Sequence, residues 1–440
     1  MSDQVLTPDF KDTPYWWEAA PRLTLPATPL PRETEVAIIG AGFAGLSAAL
    51  TLARAGRQVH VLEAAQPGMG ASTRNSGFIG GHFRAKFTAL AERHGLDRAV
   101  AMVRVGRTAH DNLASLLERE QIACGFVRCG RFVAAHTPQA YEALAHELDL
   151  GRTHAGIDGH MVPRAEQRGE LGSDLYHGGM VLPYSGLLHP GLYHAGLLER
   201  VRSAGAVVHG LAPVKGVHRN GPGRFTLSTA RGEITAGHVI RATNAYTPGT
   251  TRWFGRRIVP VPSFVITTEP MAEELSRRAL PALRPMIDTR RDPVSLRFSP
   301  DGTRLQFGAA RGERATDFRA KAVEMHALLT KIFPHLRPVR ISHCWTGQIG
   351  FAFDKLPHVG THDGVHYALG YCSTGVPLST WFGHKLALRV LGDGDATTPF
   401  DDREPPSRVF YFGKPWFVPI VARWYHRQDR KDMAKGRTAA

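Results

Sequence analysis

The feature that most constrains the fold is the stretch 35–63, which reads EVAIIGAGFAGLSAALTLARAGRQVHVLE. Its β-branched run Val36–Ile39 predicts a strand that is buried on both faces. Three glycines follow in the spacing G-x-G-x-x-G, and a pattern of small residues and leucines then predicts a helix that ends before Gly56. Gln58–Leu62 predicts a second strand. This order of strand, glycine turn, helix and strand is typical of a dinucleotide-binding unit.

Each residue of the turn has a physical task in such a unit. Gly40 makes the tight turn, Gly42 lets the backbone approach a pyrophosphate, and Gly45 lets the helix approach the strand. The helix N-terminus, at Phe43 and Ala44, offers free N–H groups and a positive dipole end to phosphates. These residues therefore predict a phosphate site.

The end of the second strand adds a ribose contact. Glu63 stands 23 residues after Gly40, where a carboxylate accepts from the ribose hydroxyls. One alternative is a membrane span, because residues 36–53 carry no charge over 18 positions. The early glycines and the strand-like start favour the nucleotide unit.

Length and charge limit the classes of protein. A chain of 440 residues exceeds what one hydrophobic core supports, so we expect at least two domains. The net charge of +15 favours anionic partners such as nucleic acid or acidic lipid, although a solvated basic surface is the plainer interpretation. Four cysteines without paired C-x-x-C spacing predict no metal site. Residues 1–15 contain acids and no apolar core, which indicates a cytoplasmic protein.

A glycine- and serine-rich loop follows Glu63. It covers Gly68–Gly81 and reads GMGASTRNSGFIGG. Such a loop offers backbone donors to phosphates, and Arg74 in it could hold a diphosphate or the edge of a flavin. The alternative is a flexible surface loop.

Several motifs together resemble one family. GAGFAGLSAA, VLEA and GASTRNSG are similar to the D-amino-acid-oxidase-like flavoproteins, and within them to the glycine oxidase, sarcosine oxidase and γ-glutamylputrescine oxidase branch. Three later segments extend the resemblance over roughly residues 15–395: Val239–Thr247 (VIRATNAYT), Phe353–Gly360 (FDKLPHVG) and Gly370–Leu378 (GYCSTGVPL). The last two segments are specific to the family.

The resemblance implies bound FAD and oxidation of a carbon–nitrogen bond of an amine or amino acid to an imine, which water hydrolyses. Electrons would pass to oxygen or to a quinone-linked acceptor. The FAD-binding residues that the motifs imply are Gly40, Gly42, Phe43, Ala44, Gly45, Glu63, Ala64, Gly70, Ala71, Ser72, Arg74, Asn75, Ser76, Gly77, Val214, Thr243, Asn244, Gly370, Tyr371, Gly375, Val376, Pro377 and Leu378.

The implied fold is α/β. A Rossmann-like FAD-binding domain is assembled from discontinuous segments, and an α+β substrate domain carries a mostly antiparallel sheet. The boundaries place an extended N-terminal arm at 1–32, the FAD-binding domain at 33–100, 161–250 and 341–395, the substrate domain at 101–160 and 251–340, and a C-terminal extension with a basic tail at 396–440.

Departures from the family pattern limit what carries over. Sarcosine oxidases tether FAD through a cysteine where this chain has Gly347, with Cys344 three residues earlier. Members similar to dimethylglycine dehydrogenase tether FAD through a histidine where this chain has Arg74. We therefore expect noncovalent FAD. Pro377 replaces a basic residue that holds a substrate carboxylate, and Gln306 replaces an oxygen-activating lysine. A polyamine derivative or a secondary amine larger than sarcosine is thus favoured as substrate.

Four residues are candidates for the substrate pocket, and no catalytic residue is identified. His82 follows the flavin-side loop, and Arg297 lies on a predicted strand, where it either holds an anion or pairs with a carboxylate. Trp345 and Tyr371 could wall an apolar site.

Charge suggests two further hypotheses. One is a flavin- or dinucleotide-binding protein that acts on nucleic acid, although the basic residues are scattered. The other concerns the tail: from Lys414 onward there are seven basic residues against Asp429 and Asp432, and a helix from Pro419 would carry an apolar stripe of Ile420, Val421 and Trp424. Such a helix could contact an anionic membrane at its inner face, or pack on the protein itself.

Overall fold

The computed structural model describes residues 2–20, 22–81, 85–247, 251–309, 315–401 and 403–438. Its α-helices are α1 (Ser2–Val5), α2 (Trp16–Ala19), α3 (Phe43–Arg54), α4 (Phe87–His94), α5 (Leu96–Arg119), α6 (Pro138–Ala155), α7 (Pro190–Ser203), α8 (Arg252–Gly255), α9 (Glu273–Ala279), α10 (Phe318–Ile332), α11 (Gly375–Leu391) and α12 (Val418–Thr438).

Its strands are β1 (Leu6–Lys11), β2 (Glu33–Ile39), β3 (Val59–Leu62), β4 (Phe78–Gly80), β5 (Arg131–Ala134), β6 (His160–Val162), β7 (Gly179–Leu182), β8 (Ser185–Leu187), β9 (Val207–His209), β10 (Val214–Gly221), β11 (Arg224–Thr229), β12 (Gly232–Arg241), β13 (Val259–Thr268), β14 (Met286–Asp288), β15 (Val294–Phe298), β16 (Leu305–Ala309), β17 (Ile341–Phe351), β18 (His358–His362) and β19 (Val365–Leu369).

An eight-stranded sheet holds the glycine turn. Its strand order is β10-β11-β12-β2-β3-β9, and β19 joins β12 to β18. The long strand β12 runs parallel to β2 and β19 and antiparallel to β11. Because β2, β3 and β12 are parallel, their carboxyl ends meet at one edge of the sheet, where the turn after β2 lies.

Helices α3, α7 and α11 pack on one face of this sheet, α5 packs on α11, and the four helices share the largest hydrophobic core with the sheet. The central strand β2 is buried throughout its second half because it lies inside the sheet under these helices. This arrangement of parallel strands and covering helices confirms the predicted α/β class with a Rossmann-like unit.

A nine-stranded sheet forms the second layer, in the order β1-β17-β13-β16-β15-β14-β5-β7-β6. Most neighbours are antiparallel, and the parallel pairs are β1 with β17 and β14 with β5. Alternate residues of β13 separate its two faces: Phe264 and Ile266 pack in the core with α10, whereas Ser263 and Val265 face the first layer.

The observed strand pairing differs from the domain boundaries that the sequence predicts at three places. Strand β1, in the expected extended arm, joins the nine-stranded sheet beside β17. Strands β6 and β7, almost all within the predicted FAD segment 161–250, also lie in that sheet, as does β17 at the start of segment 341–395. A sequence pattern shows which faces of a strand are buried but not which strand it pairs with. The rest of the division stays a prediction.

Candidate active site

A cavity of about 1030 Å³ lies where the carboxyl ends of β2, β3 and β12 meet the inner face of the nine-stranded sheet. The glycine turn and the start of α3 line one end. Residues of β13, β15, β16 and β17 line the other end, together with one side of α12. The cavity therefore joins the predicted nucleotide site to a chamber under the second sheet.

The glycine turn has the geometry that the sequence predicts. Gly40 has φ +102°, a conformation that favours glycine. An added Cβ at Gly42 would lie 2.9 Å from Ser72 Oγ, and one at Gly45 would overlap the carbonyl oxygen of Gly40. Gly42 thus lines the cavity, while Gly45 serves the contact between helix and strand.

Glu63 is held in place at the end of β3. One carboxylate oxygen accepts from the backbone N–H of Ala41 at 2.8 Å, and the other accepts from that of Ala65 at 3.2 Å. The side chain lines the cavity, so its free lone pairs are available to ribose hydroxyls. His194 supports the same turn, because its Nε2 bonds the carbonyl oxygen of Ala41 at 2.8 Å.

The loop 68–77 is an ordered part of the site. Ser72 Oγ accepts from the backbone N–H of Phe43 at 3.0 Å, which ties the loop to the start of α3. Asn75 supports the loop itself, since its Oδ1 accepts from the N–H of Gly77 at 2.8 Å. Eight residues of the loop line the cavity: Gly68, Met69, Gly70, Ala71, Ser72, Arg74, Asn75 and Ser76.

Arg74 also lines the cavity, but its donors serve the backbone. Its Nε donates to the carbonyl of Met69 at 2.8 Å, and its Nη1 donates to that of Thr346 at 3.0 Å. The guanidinium lies 4.8 Å from the ring centre of Trp17. Burial lowers the pKa of Arg74. In this structure the Arg74 side chain therefore links the loop 68–77 to strand β17.

Four cations at the cavity were missed by the sequence analysis. They are Lys215, Arg241, Arg291 and Lys355. Arg241 is almost fully buried, and its Nε and Nη1 have no hydrogen-bond partner among the described residues. Burial lowers its pKa to about 10. Buried donors without partners fit an anionic ligand such as a diphosphate. The feature of the sequence that could have indicated Arg241 is its position as a charged residue directly after the apolar pair Val239 and Ile240 at the end of β12.

The turn Gly370–Gly375, between β19 and α11, closes the site on the side opposite to the turn at Gly40. Asn244 Oδ1 accepts from the N–H of Gly370 at 3.0 Å, which joins the turn after β12 to the turn before α11. Cys372 and Ser373 have positive φ angles of 49° and 77°. The N-terminal turn of α11 therefore reaches the cavity, as that of α3 does.

The structure brings most of the predicted FAD-binding residues together. Those that line the cavity are Gly40, Gly42, Phe43, Ala44, Glu63, Ala64, Gly70, Ala71, Ser72, Arg74, Asn75, Ser76, Val214, Thr243, Asn244, Tyr371, Gly375 and Val376. The cavity lining does not include Gly45, Gly77, Gly370, Pro377 and Leu378. Gly45 and Gly77 make close backbone contacts instead, and Pro377 and Leu378 are buried in α11.

The candidates for the substrate pocket fall into different places. Tyr371 lines the cavity, and its buried hydroxyl lacks a partner within the described part of the chain. Burial raises the pKa of this hydroxyl. Trp345 is fully buried and donates through Nε1 to the carbonyl of Arg74 at 2.9 Å, so it supports the loop behind the cavity. His82 lies outside the described residues.

The hypothesis that Arg297 holds a substrate anion is not supported by its position. Its Nη1 donates to the carbonyls of Ser76 and Leu188, both at 2.8 Å, and its Nε donates to that of Phe298 at 2.9 Å. Its guanidinium lies 5.0 Å from the ring centre of Trp16. The N-terminal segment thus covers this end of the sheet, and Arg297 fastens the loop. Burial lowers its pKa to about 9.

The chamber under the second sheet is mostly apolar. Its apolar walls include Val261, Val265, Gly308 and Gly347 on the strands, Phe417 just before α12, and Val418, Val421, Ala422 and Tyr425 in α12, while Ser263, Ser295 and Gln348 add polar groups. The sequence analysis placed Ile420, Val421 and Trp424 on one apolar stripe that would either contact a membrane or pack on the protein. In the structure Ile420 and Trp424 are exposed, and only Val421 of the three lines the cavity.

The possible tethers for FAD were also located. Cys344 is fully buried in the core between β17 and α10, on the face of β17 opposite to the cavity. An added Cβ at Gly347 would come within 3.1 Å of Arg74 Cβ. Neither position provides the thiol that a tether of the sarcosine oxidase type needs.

A dinucleotide site that opens into an apolar chamber defines a flavoenzyme type of oxidoreductase. The glycine cradle and the buried Arg241 donors, which have no hydrogen-bond partner among the described residues, fit FAD. A model of the family described as FAD dependent oxidoreductase (DAO) matches residues 35–389. The chain belongs to this family. None of the comparisons supports the alternative of a protein that acts on nucleic acid.

Two curated relatives cover most of the chain. The gamma-glutamylputrescine oxidoreductase of Escherichia coli is 29% identical over 402 residues, which are 90% of this chain and 93% of that protein. The glycine oxidase of Geobacillus kaustophilus is 25% identical over 368 residues, 80% of this chain and 92% of that protein. A solved glycine oxidase structure from Geobacillus kaustophilus has a TM-score of 0.68 at 22% identity, covers 84% of this chain and 97% of its own, and shows the shared fold.

Among the described residues, no helix combines the length and the hydropathy that crossing a bilayer requires.

Proposed function

We propose that the chain oxidises a carbon–nitrogen bond of an amine or amino acid, with a polyamine derivative or a secondary amine as the favoured substrate. The substrate loses two electrons and two protons to become an imine, and water then hydrolyses the imine to a carbonyl compound and an amine. Bound FAD supplies the two-electron acceptor. The names of the curated relatives, gamma-glutamylputrescine oxidoreductase and glycine oxidase, support this substrate class.

The observation that carries the proposal is the continuity of the cavity from the nucleotide site to the apolar chamber. We propose that Glu63 receives the ribose and that the turn at Gly42, with Arg241 and Lys215, receives the diphosphate. The chamber walls would exclude water from the reacting carbon. An apolar chamber also disfavours a charged ammonium group, so it favours the neutral amine that can give up a hydride.

The size and polarity of the chamber bear on the substrate. Its charged wall residues, Arg291 and Asp292, already have partners: Arg291 pairs with Asp429 and Asp432, and Asp292 pairs with His426. Apolar walls suit a carbon chain better than they suit glycine or sarcosine, whose binding depends on the carboxylate. An amine with an extended aliphatic chain is therefore favoured.

An anaerobic screen tests the reaction. The purified chain is mixed with putrescine derivatives, secondary amines and D- and L-amino acids without oxygen, and the flavin absorbance is followed. We expect bleaching by a longer amine and weak bleaching by sarcosine and glycine. Turnover of sarcosine or glycine that equals the best substrate would contradict the substrate class, and no bleaching by any amine or amino acid would contradict the reaction.

We also propose the acceptor and the location. Electrons would pass to oxygen or to a quinone-linked carrier, and the chain would work in the cytoplasm, peripherally at the inner face of the membrane. Gln306, at the position of the oxygen-activating lysine of sarcosine oxidases, favours the carrier. Comparing the rates at which oxygen and a soluble quinone restore the bleached flavin tests this choice, since faster recovery with oxygen would contradict it.

A further inference from the structure

The C-terminal part of the chain carries a group of large apolar side chains that are exposed. They are Val409, Phe410, Phe412, Trp416, Ile420 and Trp424, with exposed fractions between 48% and 86%. We call them the C-terminal apolar surface. The rings of Phe410 and Trp416 lie 6.3 Å apart, and Trp416, Ile420 and Trp424 follow one another at intervals of four residues. Exposed apolar patches of this kind mark interaction sites.

Helix α12 has two chemically different sides. Its inner side packs on the body: Val418 and Ala422 are buried at the cavity, and Asp429 accepts from Arg291 at 2.9 Å. Its outer side, at helical spacing from Ile420 and Trp424, exposes Arg423, Arg427, Arg430 and Lys431. Within the described part of α12, both carboxylates, Asp429 and Asp432, lie on the inner side, where they pair with Arg291.

The separation of basic residues on the outer side of α12 from acidic residues on its inner side indicates what kind of partner binds there. The inner contacts already hold the helix on the protein, so the outer side is not needed for folding. Tryptophan and aliphatic residues flanked by arginines and lysines are typical of helices that lie in the interface of an anionic bilayer. A second copy of the chain is disfavoured as the partner, because a symmetric contact would bring two rows of basic residues together.

We propose that the C-terminal apolar surface and the basic outer side of α12 form a docking site for an anionic lipid bilayer. The apolar side chains enter the interface, and the basic side chains meet the lipid phosphates. Because the inner side of the same helix lines the substrate chamber, docking places the chamber next to the membrane. The docking site deepens the membrane location proposed above, and the access for a membrane-borne acceptor also rests on the proposed reaction.

Co-sedimentation of the FAD-loaded full chain tests the proposal. The vesicles are made of phosphatidylcholine alone or of phosphatidylcholine with phosphatidylglycerol, at low and at high salt. The test variants are Ile420→Ser/Trp424→Ser and Arg427→Glu/Lys431→Glu. The matched controls change exposed residues elsewhere: Leu23→Ser/Leu96→Ser and Arg278→Glu/Lys331→Glu. Bound FAD and circular dichroism show that each variant is folded.

We expect the wild-type chain to sediment with the anionic vesicles at low salt and less at high salt. Both test variants should lower the ratio of bound to free protein by roughly tenfold or more, and the controls should bind as the wild type does. Wild-type protein that stays in the supernatant, or a control that loses binding equally, would overturn the proposal.

Two further measurements separate the alternatives. Sedimentation velocity without lipid shows whether the surface joins two copies: a dimer that the Ile420→Ser/Trp424→Ser variant dissolves, without vesicle binding, would overturn the proposal. Amine oxidation with a water-soluble dye as acceptor is measured on the same samples. A chain that binds vesicles but oxidises no amine contradicts the proposed function and leaves the docking site intact.

Discussion

Gly383 of α11 lies directly against the carbonyl oxygen of Ala44 in the first turn of α3, so an added Cβ would overlap that oxygen. Nearby, Ser47 Oγ donates to the carbonyl of Thr380 at 2.7 Å. These contacts fix the two helices side by side. They also place the N-termini of both helices at the same cavity, so segments more than 300 residues apart line one site.

The Gly383→Ala variant tests this contact. We expect it to lower the free energy of unfolding by about 1–3 kcal/mol, because the neighbouring atom is backbone and cannot turn away. Urea unfolding of the FAD-free protein measures the change. Gly169→Ala is the matched control, since an added Cβ there meets nothing within 4 Å. Equal midpoints for both variants would contradict the close approach.

A side chain at Gly42 should abolish FAD binding. In Gly42→Val the first added carbon already comes 2.9 Å from Ser72 Oγ, and the branches extend toward the expected pyrophosphate. The ratio of flavin to protein absorbance after purification measures occupancy. Gly394→Val, at a glycine with open space around it, should keep full occupancy. Full occupancy in Gly42→Val would show that the phosphates bind elsewhere.

The flavin should leave the chain without breaking a covalent bond. Acid or heat precipitation of the yellow protein is expected to release FAD into the supernatant, since Cys344 lies on the far side of β17 and Gly347 has no thiol. Chromatography of the supernatant identifies the flavin. A yellow pellet that keeps its flavin after washing would reveal a tether at another residue.

Arg297 should affect stability and not the choice of substrate. Arg297→Met leaves the carbonyls of Ser76 and Leu188 without their donor, at a cost of about 1–3 kcal/mol for each buried group. We expect KM to change by the same factor for acidic and for uncharged substrates. Arg277→Met, which removes only an exposed ion pair with Glu273, should be nearly neutral. A KM that rises for acidic substrates alone would restore the role as an anion anchor.

Protonation of His189 should destabilise the protein in mild acid. Its Nδ1 accepts from the N–H of Leu192 at 3.1 Å and so caps α7. Burial, and then the charge of Arg297, lowers the pKa of His189 from 6.5 to about 4. The unfolded chain therefore binds more protons between these values, and stability falls as the pH drops from about 6.5 to about 4.

The matched variant is His189→Asn, which keeps a capping acceptor and does not titrate. Urea midpoints at several pH values between 7 and 4 measure the effect. We expect the midpoint of the variant to fall less steeply than that of the wild type over this range. Parallel curves for the two proteins would show that other groups carry the acid sensitivity.

The sequence by itself determined the nucleotide half of the site. Residues 35–63 form one continuous unit, so the turn at Gly40 and Gly42 and the carboxylate of Glu63 follow from local spacing and from the conformations open to glycine. The family motifs extended this to the loop 70–76 and to the turn at Gly375. Short-range geometry places Gly40, Gly42 and Glu63, whereas the loop and the turn at Gly375 reach the cavity through long-range contacts, such as those of Ser72 with Phe43 and of Gly383 with Ala44.

The tertiary structure alone decided the other half. The sequence left Arg297 open between holding an anion and pairing with a carboxylate, and in the structure its guanidinium instead donates to the backbone carbonyls of Ser76 and Leu188. Arg241 gained its importance only from being buried beside the cavity with two guanidinium nitrogens that have no hydrogen-bond partner among the described residues. The helix from Val418 became a wall of the substrate chamber because its inner side meets strands far away in the chain. Side-chain roles of this kind depend on which surfaces meet, and a linear pattern does not contain that information.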